Sequence, residues 1–368
     1  MTRPSAASRH RELPDVTVLI PAFNCDAFID ATIRSVFDQD YSGQITVKVL
    51  DDGSTDKTVD RLKLWQQNDS RFQWSTQANM GRAVTRDRLL RSCATSVAAW
   101  IDSDDWATRT WLSDQVGCLV DDPALAAVSG QGFAVTAEDR PIGLLAKHPL
   151  TSTEISQRHQ NGLANAFFQS CVVMRTEKAI AAGGYRDQYP AAEDYDLWLR
   201  LMRVGDLKNI DRIHLIYRVH DQSANSTLSA DQRSQGFHIV NAARELEGLP
   251  ELGQPPHETP TPKRDDWNRR IFWCVTAMKS GFHDTAWRLA AAAQRRHPLS
   301  LRLLLLCFIN WFDAAFQRKT VLILDQGDQS SNYEPQQIGH LTSLTRRSVN
   351  LKRRLQSRPG KSSKAVTS

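Results

Sequence analysis

Three apolar runs, each broken off by a polar cluster, limit what this chain can fold into. Val16-Thr17-Val18-Leu19-Ile20 is rich in β-branched residues and ends at Pro21, the profile of a buried strand. Residues 45–50 run into Asp51-Asp52-Gly53-Ser54, and residues 97–101 run into Asp102-Ser103-Asp104-Asp105. Between them lie helical patterns. Phe28, Ile29, Ile33, Val36 and Phe37 form one apolar face, with Asp26 placed to cap it. Val59, Leu62 and Trp65 form a second face; residues 72–75 read as a short strand and 82–92 as a helix. Strand and helix alternating at this spacing predict βαβ units, an α/β fold with a mostly parallel central sheet flanked by helices. Ligands in such sheets bind at the carboxyl ends of the strands. Asn24, the Asp51–Asp52 pair and the acidic run 102–105 are therefore expected to meet at one edge.

Composition excludes several classes. The chain has 368 residues, 41% hydrophobic and 24% charged, which suits one large or two modest globular domains. Its 46 basic and 41 acidic residues leave a net charge of +5, too small to point to nucleic acid, and the basic excess gathers in the last fifty residues. None of the six cysteines stands in a C-x-x-C pair, so neither zinc nor a redox dithiol is signalled; they read as free thiols in a reducing compartment. Residues 1–15 are polar and basic with no apolar run, so no secretory signal is expected, and a cytoplasmic protein is.

The acidic run 102–105 carries the strongest chemistry. Carboxylates this close repel unless a cation or hydrogen-bond donors compensate, and hard oxygen ligands at a strand end suit Mg²⁺ or Mn²⁺. An acidic helix start would look the same. The second cluster at 51–56 favours the metal reading, because two such strand ends should face one crevice.

Taken in order, Val18-Leu19-Ile20-Pro21-Ala22-Phe23-Asn24, Asp51-Asp52-Gly53-Ser54-Thr55-Asp56, Asn79-Met80-Gly81, Asp102-Ser103-Asp104-Asp105 and Glu193-Asp194-Tyr195-Asp196-Leu197-Trp198 resemble the family 2 glycosyltransferases of the GT-A fold. The resemblance covers about residues 15 to 225. It implies an inverting transfer of a sugar from a UDP-, GDP- or dTDP-linked donor to a saccharide or lipid-linked acceptor, in cell-surface polysaccharide or glycolipid synthesis. By position it places Pro21, Phe23 and Asp52 at the nucleotide base, with Ala22 and Asn24 among the nucleotide-sugar-binding residues. It puts Gly81 and Arg82 in the loop that approaches the nucleotide, Asp102 at the ribose and Asp104 at the divalent metal on the diphosphate. Asp105 supports that loop or shares the metal. Asp194 falls on the general base, which the chemistry demands because an acceptor hydroxyl is a poor nucleophile until its proton is taken. In Tyr217-Arg218-Val219-His220, His220 is read as a further metal ligand or as a structural histidine.

On this reading residues 15–247 form the GT-A domain, whose later part, with strands near 126–129, 172–174 and 213–219 and helices near 176–182 and 194–204, would wall the acceptor side. Residues 1–14 form a flexible tail. A linker with prolines at 250, 255, 256, 260 and 262 spans 248–265, a helical module 266–318, and a basic, disordered tail 319–368. In the module, Leu299, Leu303, Leu306 and Ile309 fall at helical spacing and read as core. Joined to the tail, the same stripe would serve peripheral contact with an anionic membrane surface. Two other classes are weighed. A nucleotidyltransferase-like enzyme would carry a Gly-rich basic loop after the first strand, which 21–26 lacks. A degenerate transferase acting as a scaffold would have no need of the acidic motifs.

Overall fold

The computed structural model describes residues 13–162, 165–221, 229–253 and 262–296. Its first half alternates as the apolar runs predict: β1 (Val16–Ala22), α1 (Ile29–Phe37), β2 (Ile45–Asp51), α2 (Thr58–Asn68), β3 (Phe72–Thr76), α3 (Arg82–Arg91) and β4 (Val97–Trp100). β1 pairs in parallel with β2 and β4, and β2 in parallel with β3. Alternate residues of β1 serve opposite faces. Val16, Val18 and Ile20 join Ile29 and Ile33 of α1, whereas Leu19 joins Leu89 and Leu90 of α3. Burial on both faces is why β1 and β4 read as apolar runs, whereas β2, with Thr46 and Lys48 half-buried, alternates over its first half.

The remaining elements are β5 (Trp106–Ala107), α4 (Trp111–Asp121), β6 (Leu125–Thr136), β7 (Pro141–Leu144), α5 (Ser152–Gln160), β8 (Val172–Arg175), α6 (Thr176–Ala181), α7 (Glu193–Leu201) and β9 (Asp206–Val219). They extend the sheet to the order β3-β2-β1-β4-β8-β6-β9-β5, with β7 paired to β6. β8 enters antiparallel beside β4, while β6 and β9 pair in parallel, so the sheet is mixed beyond its first four strands. β6 and β9 run far longer than their apolar cores suggest. Gly130, Gln131 and Gly132 interrupt the pattern, but all twelve residues of β6 are buried, and neighbours on both faces hold the backbone extended.

One local expectation is corrected. Asp26 does not cap α1. The position before the helix is Phe28, with no side-chain cap. A turn supplies the bonds instead, the N–H groups of Phe28 and Ile29 both donating to the Cys25 carbonyl.

Three further helices follow: α8 (Ser229–Leu246), α9 (Pro262–Lys279) and α10 (His283–Arg296). α9 and α10 place Cys274, Ala277, Ala286 and Ala290 against Ala134 of β6 and Ile142 of β7. Small residues let these surfaces approach closely, and a Cβ on Gly143 would run into the Ser280 hydroxyl. The apolar stripe from Leu299 and the basic cluster of the tail lie outside the described residues. Among the described residues, no helix is long and apolar enough to cross a membrane.

Candidate active site

The loops after β1 and β2 are bonded to each other. Asn24 adopts φ 47°, a left-handed conformation that asparagine tolerates. Its side-chain oxygen accepts the Thr55 N–H at 2.8 Å, and its own N–H donates to Ser54 Oγ at 2.8 Å. Phe23 stands 48% exposed beside this junction, and Ala22 is buried beneath it. Asp52 is nearly buried. Its carboxylate accepts from Gln77 Nε2 at 2.8 Å and from the N–H groups of Met80 at 2.8 Å and Gly81 at 2.9 Å. The Asp52 carboxylate thus fixes the turn that opens α3. Gly81 sits there at φ 85° with open space where a side chain would be.

The acidic run after β4 divides its labour. Asp102 accepts from Arg86 Nη2 at 2.6 Å, and its N–H donates to Ser170 Oγ at 3.2 Å. Asp104, about a quarter exposed, meets His220 Nε2 at 2.8 Å, and its backbone carbonyl accepts from Arg218 Nη1 at 2.9 Å. Asp105 faces inward and accepts the Arg218 N–H at 3.0 Å. Burial, reinforced by the charges of Asp104 and Asp102, holds its carboxyl well above the usual range. Of the two roles open to Asp105, its surroundings match support of the loop. Arg218 completes that support: it pairs with Asp139 at 2.7 Å and lies over the rings of Phe28 at 4.7 Å and Trp106 at 5.2 Å.

Glu193 and Asp194 open α7. Glu193 is fully buried and accepts from Arg82 Nη2 at 3.1 Å and from Arg86. Burial alone would depress the Arg86 guanidinium, but Asp102 and Glu193 more than offset it and raise its pKa. Asp194 accepts from Asn165 Nδ2 at 3.0 Å and from the Tyr195 N–H at 2.8 Å. Its carboxyl is pushed up to about 6, first by burial and then by the Glu193 charge, against the pull of Arg86 and Arg82.

A cleft of about 500 Å³ opens beside these loops, lined by Asn24, Asp26, Ala27, Phe28, Thr55, Asp56, His220 and Asp221. It brings together Asn24 and His220, and through His220 it adjoins Asp104. Arg82 is instead turned onto Glu193. Asp87, on the same helix, accepts from Arg91 Nε and the Tyr185 N–H. Two residues of the site escaped the sequence reading. Arg86 follows Arg82 by four positions, so the helical repeat puts both on one face and would have found it. Asn165 carries no such signal.

Asp104 and His220 combine a hard oxygen with an imidazole, a donor set that suits Mn²⁺ or Mg²⁺ when a diphosphate completes the shell. Among the described residues, no group of three or more His, Cys, Asp or Glu side chains could hold a metal ion by itself.

Residues 17–180 match the model of the family described as glycosyl transferase family 2. The chain carries a family 2 glycosyltransferase domain. The chondroitin synthase of Escherichia coli is 26% identical over 247 residues, 67% of this chain and 35% of that protein. The UDP-Glc:α-D-GlcNAc-diphosphoundecaprenol β-1,3-glucosyltransferase WfaP of E. coli is 27% identical over 217 residues, 57% of this chain and 80% of that protein. This glycosyltransferase thus spans about a third of one relative and most of the other. Among solved structures, the mannosyltransferase PcManGT from Pyrobaculum calidifontis in complex with GDP-Man and Mn²⁺ aligns with a TM-score of 0.48 and 18% identity, covering 92% of this chain and 86% of that one.

Proposed function

We propose that this glycosyltransferase moves a sugar from a nucleotide diphosphate to an acceptor hydroxyl with inversion at the anomeric carbon, using Asp194 as general base. The observation that carries the reading is the bridge made by Arg86. It ties Asp102, at the strand end where the donor would lie, to Glu193, the residue before Asp194. In the transfer the acceptor oxygen bonds to the anomeric carbon, its proton passes to Asp194, and the bond from that carbon to the diphosphate oxygen breaks. A carboxyl pushed up to about 6 is ionised at neutral pH yet more basic than an ordinary aspartate, as a base for a hydroxyl should be.

A divalent cation held by Asp104 and His220 would supply positive charge to offset the negative charge gathering on the departing diphosphate. The protein's own residues do the rest. Pro21, Ala22 and the exposed Phe23 offer the base an apolar surface, and Asn24 holds the two strand-end loops together. Asp52 orders the turn at Gly81 that lets the backbone approach the nucleotide. Asp102, partly exposed, has an oxygen available to ribose hydroxyls beyond the one that Arg86 occupies.

The acceptor is read as a saccharide, free or lipid-linked, in cell-surface polysaccharide synthesis. The names of the two E. coli relatives support this, one making chondroitin and the other extending a diphosphoundecaprenol-linked sugar. The direct test incubates the full chain with UDP-, GDP- and dTDP-sugars and Mn²⁺, and follows release of nucleoside diphosphate with and without saccharide acceptors. Acceptor-stimulated release from one donor class supports the reading. No release from any of them opposes it.

A further inference from the structure

The C-terminal helix pair reaches the candidate donor site. Arg270 of α9 donates Nη2 to Asp221 Oδ1 at 2.7 Å, and Arg296 at the end of α10 donates Nη2 to Asp221 Oδ2 at 2.7 Å. Both oxygens of one carboxylate are thus held from two helices. Asp221 follows His220 directly, and both line the cleft.

His220 and Asp221 follow Val219, the last residue of β9 in register with β6. His220 is held by Asp104 and by the Phe28 ring, with centroids 4.8 Å apart, and Asp221 is the point at which the helix pair can steady the same segment. The helix pair is suited to that task because its own seat is firm. It packs on β6 and β7 through small side chains, Gly143 admits Ser280 at close range, and Trp273 meets Tyr217 of β9 with ring centroids 6.4 Å apart. Ion pairs as exposed as Arg296–Asp221 add little to stability. Their value is in where they hold the chain.

We propose that Arg270 and Arg296 are positioning residues of the donor site: by gripping Asp221 they hold His220 toward Asp104 and fix the rim of the cleft. On this view the helix pair is part of the glycosyltransferase's binding machinery and not a separate appendage. The inference rests on the donor reading given above.

The experiment uses the full chain as wild type, Arg270→Gln/Arg296→Gln, and Asp221→Asn. Calorimetric titrations with UDP and with GDP, each in the presence of Mn²⁺, are set beside melting temperatures. The variants should bind the nucleotide that the wild type prefers about 10- to 100-fold more weakly. Their melting temperature should fall by less than about 4 °C. The Michaelis constant for donor should rise more than the turnover number falls. Charge reversal of the whole cluster, Asp221→Arg with Arg270→Asp and Arg296→Asp, should recover part of the lost affinity. If the arginine double variant fails to fold, Asp221→Asn decides the matter, since it leaves the helix pair's packing untouched. Variants that bind nucleotide as tightly as wild type would overturn this inference alone. A folded wild type that binds neither nucleotide would overturn the donor reading and this inference with it.

Discussion

Arg86 Nη2 lies 2.6 Å from Asp102 Oδ1 while Nη1 of the same guanidinium meets Glu193, so one buried side chain joins the end of β4 to the start of α7. The planar fork of arginine makes this possible, because it presents several donors in fixed directions. Glu193, with no exposure to water, depends on Arg86 and Arg82 for its charge to be tolerable.

Arg86→Met should therefore destabilise the domain by about 3–5 kcal/mol, since it leaves a buried carboxylate short of a partner. Arg86→Lys keeps the charge but has a single ammonium for two carboxylates, and its loss should be smaller. Chemical denaturation of the three proteins checks the order. A methionine variant as stable as wild type would show that Arg82 alone satisfies Glu193.

Asp194→Asn should separate activity from stability. The amide cannot accept a proton, so turnover should drop by about two to four orders of magnitude with donor affinity near normal. Stability should move the other way. The Asp194 carboxyl lies at about 6 in the folded protein, above its value in the unfolded chain, so its ionisation opposes folding as pH rises through that interval. At pH 7 the asparagine variant should melt higher, by about 2–4 °C for each kcal/mol recovered. The wild-type kcat/KM should fall as pH drops through about 6, as the base takes up its proton. A profile flat down to pH 5 would remove Asp194 from the base role.

Asp104→Asn and His220→Ala test the metal pair. A neutral amide is a poorer ligand for a hard cation, and alanine offers none. Each should raise the Mn²⁺ concentration needed for half-maximal activity by about tenfold or more, and EDTA should silence the wild type. Full activity in EDTA would remove the metal from the mechanism.

Much of this was legible in the amino-acid sequence, for a definite reason. β1 and β4 are buried on both faces, so each appears as a continuous apolar run, whereas β2 alternates through Thr46 and Lys48 before Val49 and Leu50; in all three the polar residues that follow mark the end. Those ends are where Asn24, Asp52 and Asp102 stand. What stayed hidden depends on long-range partners. Arg86 looks like any helix-surface arginine until its bond to Glu193, 107 residues away, pulls it inside. The length of β6 and β9 comes from their pairing with each other, and the start of α1 from a turn at Cys25 that no capping side chain advertises. The reach of α9 and α10 to Asp221 is likewise invisible in composition, because lone arginines on a helix carry no address.

Gly53 and Gly81 both hold a positive φ, 76° and 85°, and their substitutions should differ in a way that tests the loop beside Asp52. At Gly81 an added Cβ meets no atom within 4 Å, so Gly81→Ala should cost only the backbone strain, about 1–2 kcal/mol. At Gly53 the same Cβ would fall 2.9 Å from the Asn79 backbone nitrogen and 3.2 Å from the Gln77 carbonyl oxygen. These are backbone atoms of the turn that Asp52 holds, and they cannot swing aside as a flexible side chain would. Gly53→Ala should therefore add a packing cost of about 1–3 kcal/mol to the same strain. It should also push the segment from Gln77 to Gly81 away from Asp52, freeing the Met80 and Gly81 amides. Hydrogen exchange at those two amides, measured beside melting temperature, reads the two costs apart. Exchange should quicken strongly in Gly53→Ala and little in Gly81→Ala. Equal protection in both variants would mean that the turn holds its place without the Asp52 carboxylate.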